Sequence, residues 1–388
     1  MKPDTGSPQK VLRHCGYRAP LALVPGGFGV PANPLDETGV FHEPFPVRIS
    51  INNEKPRRDI HGDIIDAHDG SIEFWDGLFW LYGTCYGSSD GYSVNGNHFV
   101  SYSSPDLERW TPHGPILADR PTGLYSRPYV KKNPLSGQYV LWFNWIGGWK
   151  GKKNWKAGDG PTSPGRIGVA VADQPAGPFI IQAMEASISG QTAAHGDVPI
   201  HAQGVGDLNL FADEDGTGYI TYTIKSNRFG MIVERLSSDY LRGTGECSKV
   251  LGHVVEAPAM LKRHNWYYVL FGTLCCYCPQ GSGAMVFRSR NPLGPYEYRD
   301  NINRYATMPR VAEDAGGDMI VPAQLTAVSA LPGGHHLWMG DRWESAPDGL
   351  KGHDFQHWET LQFDAKDDIL PLARNAEETL ELPLPSKI

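Results

Sequence analysis

Residues 66–86 read DAHDGSIEFWDGLFWLYGTCY. An Asp76-Gly77 pair separates two apolar, aromatic runs, Ile72 to Trp75 and Leu78 to Thr84. An Asp-Gly step supplies the positive-φ positions of a two-residue hairpin turn, so this stretch predicts two antiparallel strands. Asp66, His68 and Asp69 precede the first run, with small Gly70 and Ser71 between. A carboxylate there sits at a strand start, where a rigid sheet can hold it.

Outward from this hairpin the arrangement repeats. From about residue 41 a unit of roughly 60–70 residues recurs: a carboxylate or Arg-Pro lead-in, a strand, a turn with Gly or Asn, then a strand rich in Tyr and Trp. The units begin at Asp69, at SRPYVKKNPLSGQYVLWFNW (126–145), at GDLNLFADEDGTGYITYT (206–223), at EAPAMLKRHNWYYVLFGT (256–273) and at PAQLTAVSALPGGHHLWMGDRW (322–343). A closing piece follows at 358–372. Five such units without a convincing amphipathic helix predict an all-β fold, a five-bladed β-propeller. The expected organisation is a short irregular N-terminal extension over 1–40 and a propeller catalytic domain over 41–388. In a propeller the first strand of every blade lines the axis, so residues at the head of each unit converge.

Composition agrees. The chain has 388 residues, 40% hydrophobic and 11% aromatic, enough for a large core. Its 45 Gly and 31 Pro are dispersed, as many turns require. The net charge of −8, without a basic run, argues against nucleic acid and anionic membranes as partners. No apolar run is long enough to span a bilayer. The first residues, MKPDTGSPQKVLRH, contain no apolar signal core, which predicts a cytoplasmic protein, or a secreted one whose signal was removed. Six cysteines make no disulfide framework in a chain of this size, and Cys275, Cys276 and Cys278 lack the two-pair spacing of a zinc ribbon. They are expected to be buried thiols in a strand.

Three units open on an acid: Asp69 before Gly-Ser-Ile, Asp207 before Leu-Asn-Leu-Phe, and Glu256 before Ala-Pro-Ala-Met. Asp69 and Asp207 taken singly read as turn residues. Glu256 heads an apolar strand, where an unpartnered carboxylate is costly. Gathered on one axis, three carboxyls repel, and their pKa values split. Inverting glycoside hydrolysis needs that split: one acid protonates the leaving oxygen while a carboxylate about 6.5–9.5 Å away activates water.

On these motifs, with the Asp-Glu-Asp-Gly turn after Asp207, residues 45–375 resemble glycoside hydrolase family 43, a clan of five-bladed propellers. The resemblance implies that Asp69 is the general base, Asp207 the residue that tunes the pKa, and Glu256 the general acid. Ala67-His68, Arg127-Pro128, Tyr139-Val140-Leu141-Trp142, Glu256-Ala257-Pro258-Ala259 and Met339-Gly340-Asp341-Arg342-Trp343 are similar to the exo-β-1,3-galactanase branch. The chain departs from that branch in carrying Asp69 in the first blade and Ser126 before Arg127, while Gln324 matches the branch's glutamine in the last blade.

The resemblance implies an exo-acting, inverting glycosidase for a terminal β-galactoside, arabinofuranoside, galactofuranoside or β-xyloside of an oligo- or polysaccharide. Substrate-binding candidates are His68, Arg127, Trp145, Gln324 and Arg342, with Trp149 and Trp155 as further stacking candidates. His68 and Arg127 read equally as supporting groups, and each Trp as packing. No cofactor is required by this chemistry. ADEDGTG (212–218) reads as a hairpin turn rather than a calcium loop, and the family leaves room for a structural calcium in the channel. The alternative is a propeller that binds glycans without catalysis.

Overall fold

The computed structural model describes residues 46–93, 95–148, 164–191, 204–225, 229–275, 277–305 and 319–384. The expected extension, 1–40, lies outside them, as do Trp149 and Trp155. Strand β1 (Pro46–Asn52) comes first. Four sheets of four strands follow in sequence order. The first holds β2 (His68–Trp75), β3 (Leu78–Cys85), β4 (His98–Ser104) and β5 (Thr111–Pro115). The second holds β6 (Gly123–Lys132), β7 (Tyr139–Gly147), β8 (Arg166–Ala172) and β9 (Ile180–Ala183). The third holds β10 (Val205–Ala212), β11 (Gly218–Ile224), β12 (Gly230–Leu236) and β13 (Gly243–Cys247). The fourth holds β14 (Val255–Arg263), β15 (Trp266–Thr273), β16 (Met285–Ser289) and β17 (Glu297–Asn301). The fifth sheet has three strands, β18 (Gln324–Leu331), β19 (His335–Arg342) and β20 (Phe355–Thr360).

All strand pairs are antiparallel, as short loops demand. The turn between β2 and β3 is the expected one: Asp76 (φ 52°) and Gly77 (φ 78°) are both left-handed. Strands β2, β6, β10, β14 and β18 each lie against the first strand of the next blade, and β18 returns to β2. This closed circuit is the five-bladed propeller. Aromatic side chains fill the wedges between blades. Trp142, fully buried in the second blade, gives its indole N–H to the carbonyl of Tyr240 in the third (2.8 Å).

The closing segment differs from expectation. Trp358 belongs to β20, so residues from 358 onward complete the fifth blade before the chain moves on. The ring is closed instead by β1, which pairs with β21 (Glu377–Pro383) in register from Pro46–Pro383 to Asn52–Glu377. Asn53 exchanges hydrogen bonds with the main chain of Trp358, both 2.9 Å, and Ser50 N donates to Glu108 in the first blade (2.7 Å). The first and last strands among the described residues thus stitch blade five to blade one. A sequence repeat cannot announce such a seam, because β1 and β21 form no unit of their own.

Candidate active site

Each innermost strand is irregular at the same place. Register shifts fall between His68 and Ser71 in β2, Ser126 and Tyr129 in β6, Val205 and Leu208 in β10, Glu256 and Ala259 in β14, and Leu325 and Ala327 in β18. Asp69, Arg127, Asp207, Glu256 and Gln324 sit in or beside these bulges. A bulge breaks strand alternation and re-aims a side chain. Here Asp69 (φ 60°), Arg127 (φ 58°) and Ala257 (φ 58°) take left-handed backbone, uncommon for residues with a Cβ.

The bulges bring the three acids to one cluster. Asp69 is 3% exposed and Glu256 7%. The Asp207 carboxylate pairs with Arg127 at 3.0 Å. Arg127 is buried and also donates to the carbonyl of Leu325 (3.2 Å), so it ties the second blade to the third and the fifth. Its guanidinium is held in its charged form: burial opposes the charge, but Asp207, Tyr129 and Asp69 outweigh it. Asp69 receives the hydroxyl of Tyr86 on Oδ2, and its own main-chain N–H donates to Asp341 Oδ2 (2.8 Å). Glu256 accepts the Cys275 N–H (2.8 Å) and the Gln324 side-chain amide (2.9 Å), both on Oε1. Gln324 is oriented by Trp343, whose indole N–H donates to its Oε1 (2.9 Å).

Electrostatics separates the acids. Burial raises Asp69 to about 6, with Arg127 and Tyr86 pulling it down and Asp341 and Asp207 pushing it up. Burial raises Glu256 to about 8, and the charge of Asp207 adds to that against the Cys275 amide, Arg127 and Lys225. Near neutral pH Asp69 is ionised while Glu256 holds a proton. With both donors on Oε1, the proton of Glu256 belongs on Oε2.

Asp66, the rival of Asp69 in the sequence, is buried and accepts the main-chain N–H groups of Tyr86 (2.9 Å) and Gly87 (2.6 Å), a structural duty. His68 has no exposed surface and so does not touch a sugar, contrary to one expectation. Its Nδ1 meets Asp341 at 3.1 Å and its Nε2 the carbonyl of Gly352 at 3.4 Å. Burial disfavours its charge, but the carboxylates of Asp341, Asp66 and Asp354 prevail and carry it to about 9. It therefore supports Asp69 through Asp341.

Arg342 is directed elsewhere than expected. It donates to the carbonyl of Asn53 (3.0 Å) and lies near Glu54. Trp145 is taken up inside its own blade: its indole N–H goes to Met184 and its ring stacks on Tyr125. Among the described residues no three His, Cys, Asp or Glu side chains are gathered to hold a metal.

Sequence reading missed the aromatic wall beside the acids. Tyr86, Tyr277 and Trp343 pack edge to face, with ring centroids 5.0–5.8 Å apart, and Lys351 Nζ stands 3.8 Å from the Tyr277 ring and 4.0 Å from that of Trp343. Counting from the Asp76-Gly77 turn does not place Tyr86, because the bulge in β2 shifts the pairing so that His68 meets Thr84. Tyr277 lies in a loop and carries no periodic signal. The cysteines also differ from expectation: Cys275 and Cys278 form a disulfide in the loop after β15 rather than standing as thiols in a strand.

Residues 65–312 match the model of glycosyl hydrolases family 43. The chain belongs to glycosyl hydrolase family 43. Over 245 residues it is 26% identical to a β-D-galactofuranosidase of Aspergillus niger, across 59% of this chain and 62% of that one. Its fold is similar to an exo-β-1,3-galactanase of Clostridium thermocellum, with a TM-score of 0.65 at 22% identity over 83% of this chain and 64% of that one. A Phanerochaete chrysosporium exo-β-1,3-galactanase solved with β-1,3-galactotriose gives 0.64 at 21% identity over 83% and 66%. This family 43 chain therefore spans under two thirds of the length of these relatives.

Proposed function

We propose that this chain is an inverting, exo-acting glycoside hydrolase that removes a terminal galactose-type sugar, pyranose or furanose, from an oligo- or polysaccharide. The observation that carries the reading is the meeting of buried Asp69 and Glu256 with the Arg127-paired Asp207 at the heads of three innermost strands; burial and neighbouring charges raise Glu256 further than Asp69. Glu256 gives its proton to the leaving oxygen. Asp69, its Oδ2 occupied by Tyr86, takes a proton from the attacking water on the remaining oxygen. Asp207, held by Arg127, keeps Glu256 protonated through its charge. The buried rings of Tyr86 and Trp343, packed with Tyr277, back the acids from the protein side. The relatives named for galactofuranose and β-1,3-galactan support the galactose preference.

This acid–base chemistry asks for no cofactor. Asp66 and Asp341, which flank His68, are each engaged by main-chain N–H groups, so a channel calcium has poor claim on them. The disulfide supports the secreted option for compartment, since disulfides persist where conditions oxidise.

The test is hydrolysis of β-galactopyranoside, β-galactofuranoside, α-arabinofuranoside and β-xyloside nitrophenyl substrates and of β-1,3-galactotriose, with the first-released anomer read by NMR. Glu256→Gln and Asp69→Asn are expected to lose turnover on natural linkages by about 10²–10⁴-fold, and chelation to leave it unchanged. Unaltered turnover in Glu256→Gln sinks the assignment.

A further inference from the structure

The Cys275–Cys278 loop reaches the carboxyl of Glu256 directly and that of Asp69 by way of Tyr86. We propose that Tyr277 is a positioning residue for the hydrolysis, its hydroxyl donating to that of Tyr86 and so keeping the Tyr86 proton on Asp69, and that the disulfide around it holds it in place. This rests on the reading of Asp69 as base and Glu256 as acid.

Proton bookkeeping gives the direction. An ionised carboxylate only accepts, so the single hydroxyl hydrogen of Tyr86 goes to Asp69. The Tyr86 and Tyr277 oxygens are 3.0 Å apart, so one of them must donate, and only Tyr277 has a hydrogen left for it. The carbonyl of Gly91, another acceptor in its reach, is farther away at 3.4 Å. A donor at the Tyr86 oxygen polarises the Tyr86 O–H and strengthens its bond to Asp69. The second oxygen of Asp69 is thereby kept for water.

The ring of Tyr277 is confined. It stands perpendicular to those of Tyr86 (90°), Tyr92 (85°) and Trp343 (88°), with Lys351 over its face. Its backbone is left-handed (φ 57°), a conformation that side-chain-bearing residues leave when free to do so. A ring closed between Cys275 and Cys278 removes that freedom. The amide that opens the loop, Cys275 N–H, holds Glu256 Oε1 (2.8 Å). One short loop of the fourth blade therefore fastens the proton donor directly and the water activator through two tyrosines.

The charged and titratable groups facing Asp69 are Arg127 from β6, Asp207 from β10, Asp341 from β19 and Tyr86 after β3, and Lys351 faces Tyr86 and Tyr277. Tyr277→Phe alters none of them. It is expected to lower kcat by about tenfold, to leave KM within about twofold, and to move the acid limb of the kcat/KM profile to higher pH, since a weaker donor favours protonated Asp69. Carboxyl ¹³C NMR titration of Asp69, assigned with Asp69→Asn, reads the same upward shift without substrate. Cys278→Ser, used in place of a reductant because Cys85 is also disulfide-bonded, is expected to move both limbs upward, as Glu256 loses the Cys275 amide as well. An acid limb and an Asp69 titration identical to wild type in Tyr277→Phe overturn the role of Tyr277. Wild-type limbs and kcat in Cys278→Ser overturn that of the disulfide. If wild type hydrolyses no sugar, the hydrolase reading fails, and the titration still decides the tyrosine relay.

Discussion

Asp69 and Glu256 are both lifted by burial, yet to different heights, and the difference lies in their neighbours. Asp69 has the Arg127 charge and a tyrosine hydroxyl to favour its anion. Glu256 faces the carboxylate of Asp207, which disfavours a second negative charge. The sign for activity follows. On the proposed roles, Asp69 below about 6 takes a proton and cannot accept one from water. Glu256 above about 8 loses the proton that the proposal has it donate. The kcat/KM profile is therefore expected to be a bell with its plateau between these values, measured on the released sugar. The acids were legible at this scale because their residue types recur at unit heads. His68 and Arg342 were not. Arg342 follows Asp341 on a strand, so the two point to opposite sides, and nothing in the sequence says which side holds the chemistry.

At the scale of the strand, the decisive feature is the bulge repeated in every innermost strand. The Asp-Gly turn between β2 and β3 was readable because two residues dictate its geometry. The bulges were not, because an unpaired residue is defined by the partner strand. Each also reverses the facing of the residues that follow, so counting by twos across it fails. Gly70 shows how tightly one bulge is built: a Cβ there would lie 1.7 Å from the carbonyl oxygen of Tyr82. That atom is backbone and cannot rotate away. Gly70→Ala is expected to cost about 2 kcal/mol or more, the range of mutations that force overlap in a packed interior. Urea unfolding at constant m-value checks it, and a midpoint equal to wild type contradicts the geometry.

In the molecule as a whole, the site exists only because the ring is shut. Asp69 comes from blade one, Arg127 from blade two, Asp207 from blade three, Glu256 from blade four, and Gln324 from blade five. The seam that closes them is β1 on β21, fastened by Asn53, which is fully buried and bonds the main chain of Trp358 and Asn375. Asn53→Leu leaves those buried groups without partners and is expected to destabilise by about 2–4 kcal/mol. Thermal unfolding followed together with activity should show both lost in one transition. Loss of activity well below the main transition would place the site outside the cooperative unit.

The sequence by itself determined the repeat, the hairpins, the all-β class and three acids at equivalent places, because turn chemistry and alternation are local and act within a few residues. Only the tertiary structure decided which side chains meet those acids. The pairing of Asp207 with Arg127, the Asp341–His68 support beneath Asp69, the Tyr277–Tyr86 contact and the β1–β21 seam all join residues tens to hundreds of positions apart. Such contacts are set by the closure of the ring and by the bulges that aim side chains inward. The burial that lifts both carboxyls and the neighbouring charges that separate them arise from that same closure, so the electrostatics of this cluster is a property of the assembled axis.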